Sequence, residues 1–122
     1  MHELSIAQSL LDIVQQEAAR HGVSQVVRVG VRVGVYSAVV PSSLTFCWDM
    51  IKEGTVAASS ELVINQVPLT GLCQDCGHQF TMAGPADDCP QCSSSKVEMV
   101  AGRELNVDYI ETAEPEPGSA GE

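Results

Sequence analysis

The sequence predicts an α/β fold, in which a small mixed β-sheet is flanked by two helices and a cysteine-rich ribbon is inserted. Three observations lead to this prediction: a long segment with helical apolar spacing, a segment of strictly alternating valines, and two Cys-x-x-Cys pairs twelve residues apart. The order helix, strand, helix, strand favours a βαβ unit with a parallel strand pair and a right-handed crossover.

Two segments show the spacing of amphipathic helices. Residues 3–21 carry apolar side chains three or four positions apart, and Gly22 is placed to end the helix. Residues 41–53 begin with a proline suited to the first helical position. The predicted apolar stripe of this second helix consists of Leu44, Cys47, Trp48 and Ile51. Since Cys47 falls on that stripe, we expect it to be a buried, inert thiol.

Three segments are typical of strands. Residues 26–36 alternate Val with Arg or Gly, which indicates a strand with one apolar face. Residues 61–67 form the second predicted strand. Residues 104–110 form a late strand that we expect to return to the same sheet, with its apolar side chains facing inward, namely Leu105, Val107 and Tyr109.

The domain organisation follows from these elements. We expect the α/β domain to be discontinuous and to comprise residues 1–69 and 102–111, with the ribbon at residues 70–101. Residues 112–122 are rich in Glu, Pro and Gly, which predicts a disordered acidic tail.

The chain is strongly acidic, with a net charge of −10 from 16 acidic residues against 6 Lys and Arg. This charge repels phosphates and anionic membrane surfaces, so we expect no nucleic-acid partner. We expect no membrane insertion either, because no run of 18 apolar residues is present. The N-terminus lacks the basic region of a signal peptide, which predicts a cytoplasmic protein.

The four paired cysteines predict a metal site. Cys73 with Cys76 and Cys89 with Cys92 form two knuckles whose four thiolates suit a tetrahedral Zn²⁺ ion. In a reducing compartment such pairs are metal sites rather than disulfides. Four cysteine ligands leave no open position, so the zinc is expected to be structural. Iron in the same site, as in a rubredoxin, is less favoured because three serines follow the second knuckle and few aromatic residues surround it.

The first residues, Met1-His2-Glu3, carry a second candidate metal site. The α-amine, backbone nitrogens and the His2 imidazole lie within chelating reach, and such nitrogen donors suit square-planar Ni²⁺ or Cu²⁺. The other interpretation is an ordinary solvated residue at the start of a helix.

The sequence gives no indication of an enzyme. We find no nucleophile–base signature, no glycine-rich phosphate loop and no open catalytic zinc site.

Taken together, these features resemble the HypA family of nickel metallochaperones (including HybF), which act in [NiFe]-hydrogenase maturation. The resemblance reaches to about residue 110 and rests on MHELSIAQSLL, RVGVRVGVYSAVVPSSLTFCWDMI, CQDCGHQF and CPQC. It implies that His2, with the backbone nitrogens of Met1 and Glu3, binds Ni(II) as transient cargo. It also implies structural Zn(II) at the four cysteines, the GTPase HypB as a partner and the [NiFe]-hydrogenase large subunit as the client.

Two departures from the family pattern stand out. Some relatives carry an acidic residue, linked to nickel binding, where this chain reads Ala38-Val39-Val40-Pro41. Some carry a His directly after the second knuckle, where this chain has Ser93. The alternative function is an acidic zinc-ribbon adaptor for protein interactions, without a nickel role.

Overall fold

The computed structural model describes residues 3–113, which form two helices and six strands. In chain order these are α1 (Glu3–Arg20), β1 (Val26–Gly34), α2 (Pro41–Ile51), β2 (Glu61–Val67), β3 (Thr70–Cys73), β4 (Gln79–Thr81), β5 (Val97–Ala101) and β6 (Leu105–Thr112). The strands make two three-stranded sheets, with the orders β2-β1-β6 and β4-β3-β5. The predicted nickel-site residues Met1 and His2 lie outside the described residues, as does most of the predicted tail.

The β1–β2 pair is parallel. The amide of Val26 donates to the carbonyl of Val56 (2.9 Å), five residues before β2 begins. At the other end, the amide of Val35 donates to the carbonyl of Val67 (2.9 Å), the last residue of β2. Both strands therefore advance in the same direction, as the βαβ prediction requires.

The β1–β6 pair is antiparallel, so the sheet is mixed as predicted. The amide of Gly34 at the end of β1 donates to the carbonyl of Glu104 (2.7 Å), just before β6. The amide of Ala113, just after β6, donates to the carbonyl of Gln25 (3.2 Å), just before β1. Thr112 belongs to β6, so this strand extends one residue into the predicted tail.

The predicted inward direction of Leu105 and Tyr109 is wrong. Leu105 is exposed, and the Tyr109 ring lies against Gly30. Gly30 alternates along β1 with Val29 and Val31, which are fully buried, so the ring covers the opposite face of the sheet. Glycine at this position leaves the space that the ring occupies.

Both helices end as their sequences predict. After α1, Gly22 adopts a φ of 66°, and the amide of Val23 donates to the carbonyl of Ala18 (2.9 Å). These are the features of a Schellman stop. Helix α2 begins with Pro41 and is followed by Gly54, whose φ is 77°.

The chain divides into two compact units, the first of which comprises the residues up to Val31, Val39–Asn65 and the residues from Asn106 onward. Helices α1 and α2 pack together in this unit. Its buried apolar residues are Ala7, Leu10, Leu11, Val14, Ala18, Val26, Val29, Val31, Val39, Leu44, Trp48, Ala57 and Leu62. The buried Trp48 indole donates to the Ser60 hydroxyl (3.0 Å), which satisfies both polar groups.

The second unit comprises Arg32–Ala38 and Gln66–Leu105. Its central strand β3 pairs antiparallel with both β4 and β5. Its buried apolar residues are Val33, Leu69, Cys73, Met82 and Cys89. The predicted ribbon falls within this unit, and its boundaries at residues 70–101 stay a prediction. No helix among the described residues is long and apolar enough to cross a membrane.

Candidate metal centre

The four paired cysteines converge. Their Sγ atoms all lie within 4.8 Å of one another, with Cys73 and Cys89 buried and Cys76 and Cys92 exposed. The sulfurs of Cys73 and Cys92 are 3.6 Å apart, and those of Cys76 and Cys89 are 3.7 Å apart. Sulfurs arranged tetrahedrally at about 2.3 Å from a Zn²⁺ ion are about 3.8 Å from each other. The donor set therefore fits a tetrathiolate ion.

The first knuckle is shaped by its own backbone. The amide of Cys73 donates to the carbonyl of His78 (2.9 Å), and the amide of Gly77 donates to the carbonyl of Cys73 (3.0 Å). The turn between them directs the Cys76 amide at the Cys73 sulfur (3.4 Å). An amide pointing at a sulfur stabilises its thiolate form.

The second knuckle repeats this pattern. The amide of Cys89 donates to the carbonyl of Ser94 (2.9 Å), and the amide of Ser93 donates to the carbonyl of Cys89 (2.8 Å). The amide of Gln91 approaches the Cys89 sulfur at 3.4 Å. Ser93 thus stands where the first knuckle has Gly77, and it too adopts a positive φ, of 64°.

A hydrogen bond that the sequence analysis missed joins the two knuckles. The Ser94 hydroxyl donates to the Asp75 carboxylate (2.6 Å) and accepts the amide of Lys96 (3.0 Å). The amide of Gln74 donates to the carbonyl of Lys96 (2.8 Å) and adds a second tie. Aligning the two Cys-x-x-Cys segments on each other exposes the Gly77–Ser93 equivalence, but no spacing rule in the sequence indicates the Asp75–Ser94 contact.

The thiols influence one another's ionisation. The amide of Cys76 holds the pKa of Cys73 at about 6. The amide of Ser94 acts to lower the pKa of Cys92, but the Cys73 sulfur, burial and the other two sulfurs together raise it to about 12. The His78 backbone amide and the Cys92 sulfur act to lower the pKa of Cys76, but desolvation and the Cys73 and Cys89 sulfurs together raise it. One thiolate therefore forms readily, and its negative charge opposes the ionisation of the other three thiols. A divalent cation is needed for all four to be thiolates at once.

The remaining candidate residues lie elsewhere. Cys47 is half-buried on α2 rather than fully buried, because it sits at the border between the apolar stripe and the exposed side of that helix. The His78 ring stacks on Phe80, with centroids 5.8 Å apart. Within residues 3–113, the four paired cysteines are the one group of three or more His, Cys, Asp or Glu side chains placed to hold a metal ion.

Glu3, the described member of the predicted nickel site, has a defined position. Its carboxylate accepts the amide of Val40 (3.0 Å), the residue that precedes α2. The loop before α2 turns at Ala38, which has a φ of 67°. In this loop the backbone, rather than an acidic side chain, meets the start of α1.

Comparison with known proteins gives one consistent result. A family model described as hydrogenase/urease nickel incorporation, metallochaperone, hypA matches residues 1–112. The hydrogenase maturation factor HypA of Desulfosudis oleivorans is 40% identical over 116 residues, covering 93% of this chain and 100% of its own length. The corresponding protein of Rhizobium leguminosarum bv. viciae is 39% identical over 111 residues, covering 91% of this chain and 98% of its own.

Two solved structures of HypA proteins are also similar to this chain. The solution structure of the Ni metallochaperone HypA from Helicobacter pylori superposes with a TM-score of 0.66 at 26% identity, over 92% of this chain and 97% of that one. A second solution structure of a HypA protein gives a TM-score of 0.72 at 27% identity, over 92% and 96% of the two chains. With the family model spanning both helices, both sheets and the cysteine cluster, the chain belongs to the HypA family of nickel-incorporation metallochaperones.

Proposed function

We propose that this chain binds Ni(II) as transient cargo at its N-terminus and, together with the GTPase HypB, delivers it to the large subunit of a [NiFe]-hydrogenase. The observation that carries the proposal is the match to a nickel-incorporation family that begins at residue 1 and so includes the Met1-His2-Glu3 start. Transfer is ligand exchange driven by partner binding, and the chain performs no covalent chemistry. We place this activity in the cytoplasm.

The nickel ligands are the His2 imidazole and backbone nitrogens from Met1 to Glu3. Nitrogen donors of this kind favour a square-planar ion, and neutral imidazole is the form that coordinates. The Glu3–Val40 hydrogen bond supports the proposal, because it fixes the residue next to His2 against the loop before α2.

The second ion is Zn(II), held by Cys73, Cys76, Cys89 and Cys92. All four positions are thiolates, so the ion has a structural role and leaves no site for substrate. The sulfur separations of 3.6 and 3.7 Å support zinc. A closed site of this kind also supports a function other than catalysis.

A nickel titration tests the N-terminal site. Ni²⁺ is titrated into the zinc-loaded, untagged protein with its native Met1 terminus, beside His2→Ala, and followed by calorimetry and d–d absorption. We expect one nickel per chain in the wild type, a yellow planar-type spectrum, and loss of binding in His2→Ala with zinc retained. His21→Ala and His78→Ala are matched controls, since they remove the other two histidines and should leave nickel binding unchanged.

Delivery is tested by the maturation of the client. Cells that carry His2→Ala in place of the wild-type chain should lose [NiFe]-hydrogenase activity and regain it when excess nickel is supplied. Equal nickel binding by wild type and His2→Ala, or undiminished maturation, would shift the assignment to an acidic zinc-ribbon adaptor.

A further inference from the structure

We infer that the outer face of α2, together with the start of α1, docks a cationic amphipathic helix of a partner protein. This docking face is defined by Leu4, Phe46, Asp49, Met50 and Glu53. The inference goes beyond the proposed function, because docking of this kind needs no nickel.

The centre of the docking face is apolar, whereas the surface of a monomeric protein rarely has adjacent large apolar side chains exposed. Phe46 and Met50 are one helical turn apart on α2, and their exposed fractions are 65% and 52%. The chain has only two Phe residues, and it leaves this one largely in solvent. Phe46 also lines, with the exposed Leu4, a depression of about 600 Å³ between the first turns of the two helices. Contiguous exposed side chains of these types, Phe and Met above all, mark protein-interaction surfaces.

The charges around this apolar centre are mostly negative. Asp49 follows Phe46 by three positions and lies on the same side of α2, and Glu53 lies in the turn just after the helix. Lys52, the only cation of that segment, is turned inward: its ammonium donates to the Ser60 carbonyl (2.7 Å) and contacts Asp49 (3.0 Å), and its side chain is 17% exposed. Helix α1 carries no Lys or Arg before Arg20. Lys52 offsets the charge of Asp49, and Glu53 together with Glu3 in the first turn of α1 keeps the rim of the face negative overall.

The negative charge of the docking face determines which kind of partner is complementary to it. A second copy of the chain would bring the same carboxylates into opposition, and anionic membranes and nucleic acids carry the same sign of charge. A partner with Lys or Arg beside its apolar side chains is complementary. A helix is favoured because Phe46 and Met50 form a ridge one helical turn long beside the depression, which suits apolar anchors at positions i, i+3, i+4 and i+7 of a partner helix.

The test uses a defined probe. A synthetic helical peptide of about 18 residues, with Leu at those four positions and Lys and Ala elsewhere, is titrated into the nickel-free, zinc-loaded full chain near physiological salt. A second peptide carries Glu in place of each Lys. Binding is followed by fluorescence anisotropy, and the contact site by amide chemical shifts in NMR.

We expect saturable binding of the Lys peptide, with shifts confined to α2 and the first turn of α1. The double variant Phe46→Ser, Met50→Ser should weaken binding roughly tenfold or more while keeping every charge, and the Glu peptide should bind more weakly by a similar factor. Ile13→Ser is the matched control, because Ile13 is similarly exposed (43%) but lies on the side of α1 opposite Leu4.

Three outcomes would overturn the inference. The first is equal affinity for the double variant and the wild type, and the second is no saturable binding at millimolar peptide. The third is a concentration-dependent dimer of the chain that the double variant abolishes, since a second copy would then be the occupant. None of these outcomes bears on nickel binding, which the His2→Ala titration tests separately.

Discussion

At the scale of single residues, the two knuckles differ at the position where their backbones turn. Gly77 and Ser93 are structurally equivalent and have φ values of 79° and 64°, but only Gly77 adopts this conformation without steric cost. A methyl group added at Gly77 would meet no atom within 4 Å, so Gly77→Ala tests conformation alone. We expect Gly77→Ala to lower the free energy of unfolding by about 1 kcal/mol and Ser93→Gly to raise it by about 0.5–1 kcal/mol. Chemical denaturation of the zinc-loaded protein measures both, and effects of the same sign would contradict the equivalence of the knuckles.

Glu104 makes stability depend on pH. The amide of Gly102, its own backbone amide and the charge of Arg32 hold the pKa of this carboxyl below its usual value. A carboxyl whose pKa is depressed in the folded state stabilises the protein above the unfolded-state pKa, and that contribution is lost as pH falls through the folded-state pKa. Wild type should therefore exceed Glu104→Gln in stability at about pH 7, and the difference should shrink below about pH 4.

Thermal unfolding of the two proteins across this pH range measures that difference. Arg32→Gln should retain most of the pH dependence, because the Gly102 amide is the larger cause. A constant difference between wild type and Glu104→Gln would show that the carboxyl is not stabilised in its charged form.

At the scale of secondary-structure elements, the outer face of the first sheet depends on one glycine in β1. A Cβ at Gly30 would lie 2.1 Å from the Tyr109 ring, so Gly30→Ala should destabilise the protein by about 1–3 kcal/mol. The ring can be removed, so Tyr109→Ser should relieve much of this cost in the double variant. Gly34 offers the contrast, because a Cβ there would meet the Gly102 backbone at 2.1 Å, and no side-chain substitution relieves that. A double-mutant cycle in urea measures the coupling, and additive effects would show that the ring does not occupy this space.

The helices and the strands of the first sheet were predictable from the sequence, but the short strands β3, β4 and β5 of the ribbon and the directions of some side chains were not. Apolar spacing, the alternating valines of β1 and the glycines at helix ends predicted α1, α2, β1, β2 and β6 to within a few residues. The alternation of residues along β6 assigns Tyr109 to one of the two faces of the sheet. It does not say which of these faces packs against the helices, so the direction of Tyr109 could not be predicted. The burial of Cys47 was overestimated for a related reason. A residue at the edge of the apolar stripe of a helix is buried only where the elements packed against that helix reach it.

At the scale of the whole molecule, the metal centre was the most predictable feature. The hydrogen bonds that hold its two knuckles together were the least predictable. Four cysteines in two spaced pairs can converge on one ion in few ways, so spacing alone predicted the cluster. The Asp75–Ser94 bond depends on how the knuckles face each other in three dimensions, and spacing carries no information about that. The proposed nickel anchor at His2 rests on the family match rather than on described geometry.

The two units also differ in what stabilises them, which predicts how the molecule responds to loss of zinc. The first unit buries side chains from both helices and β1, whereas the second buries few apolar residues, and two of these, Cys73 and Cys89, are zinc ligands in our proposal. Chelation of zinc should therefore unfold residues 70–101 and leave the helices folded. Amide signals of the cysteine-rich segment should collapse in NMR, while far-ultraviolet circular dichroism keeps its helical component, and added Zn²⁺ should restore the lost signals. Loss of the helical component in parallel with zinc would instead show that the metal stabilises the whole chain as one cooperative unit.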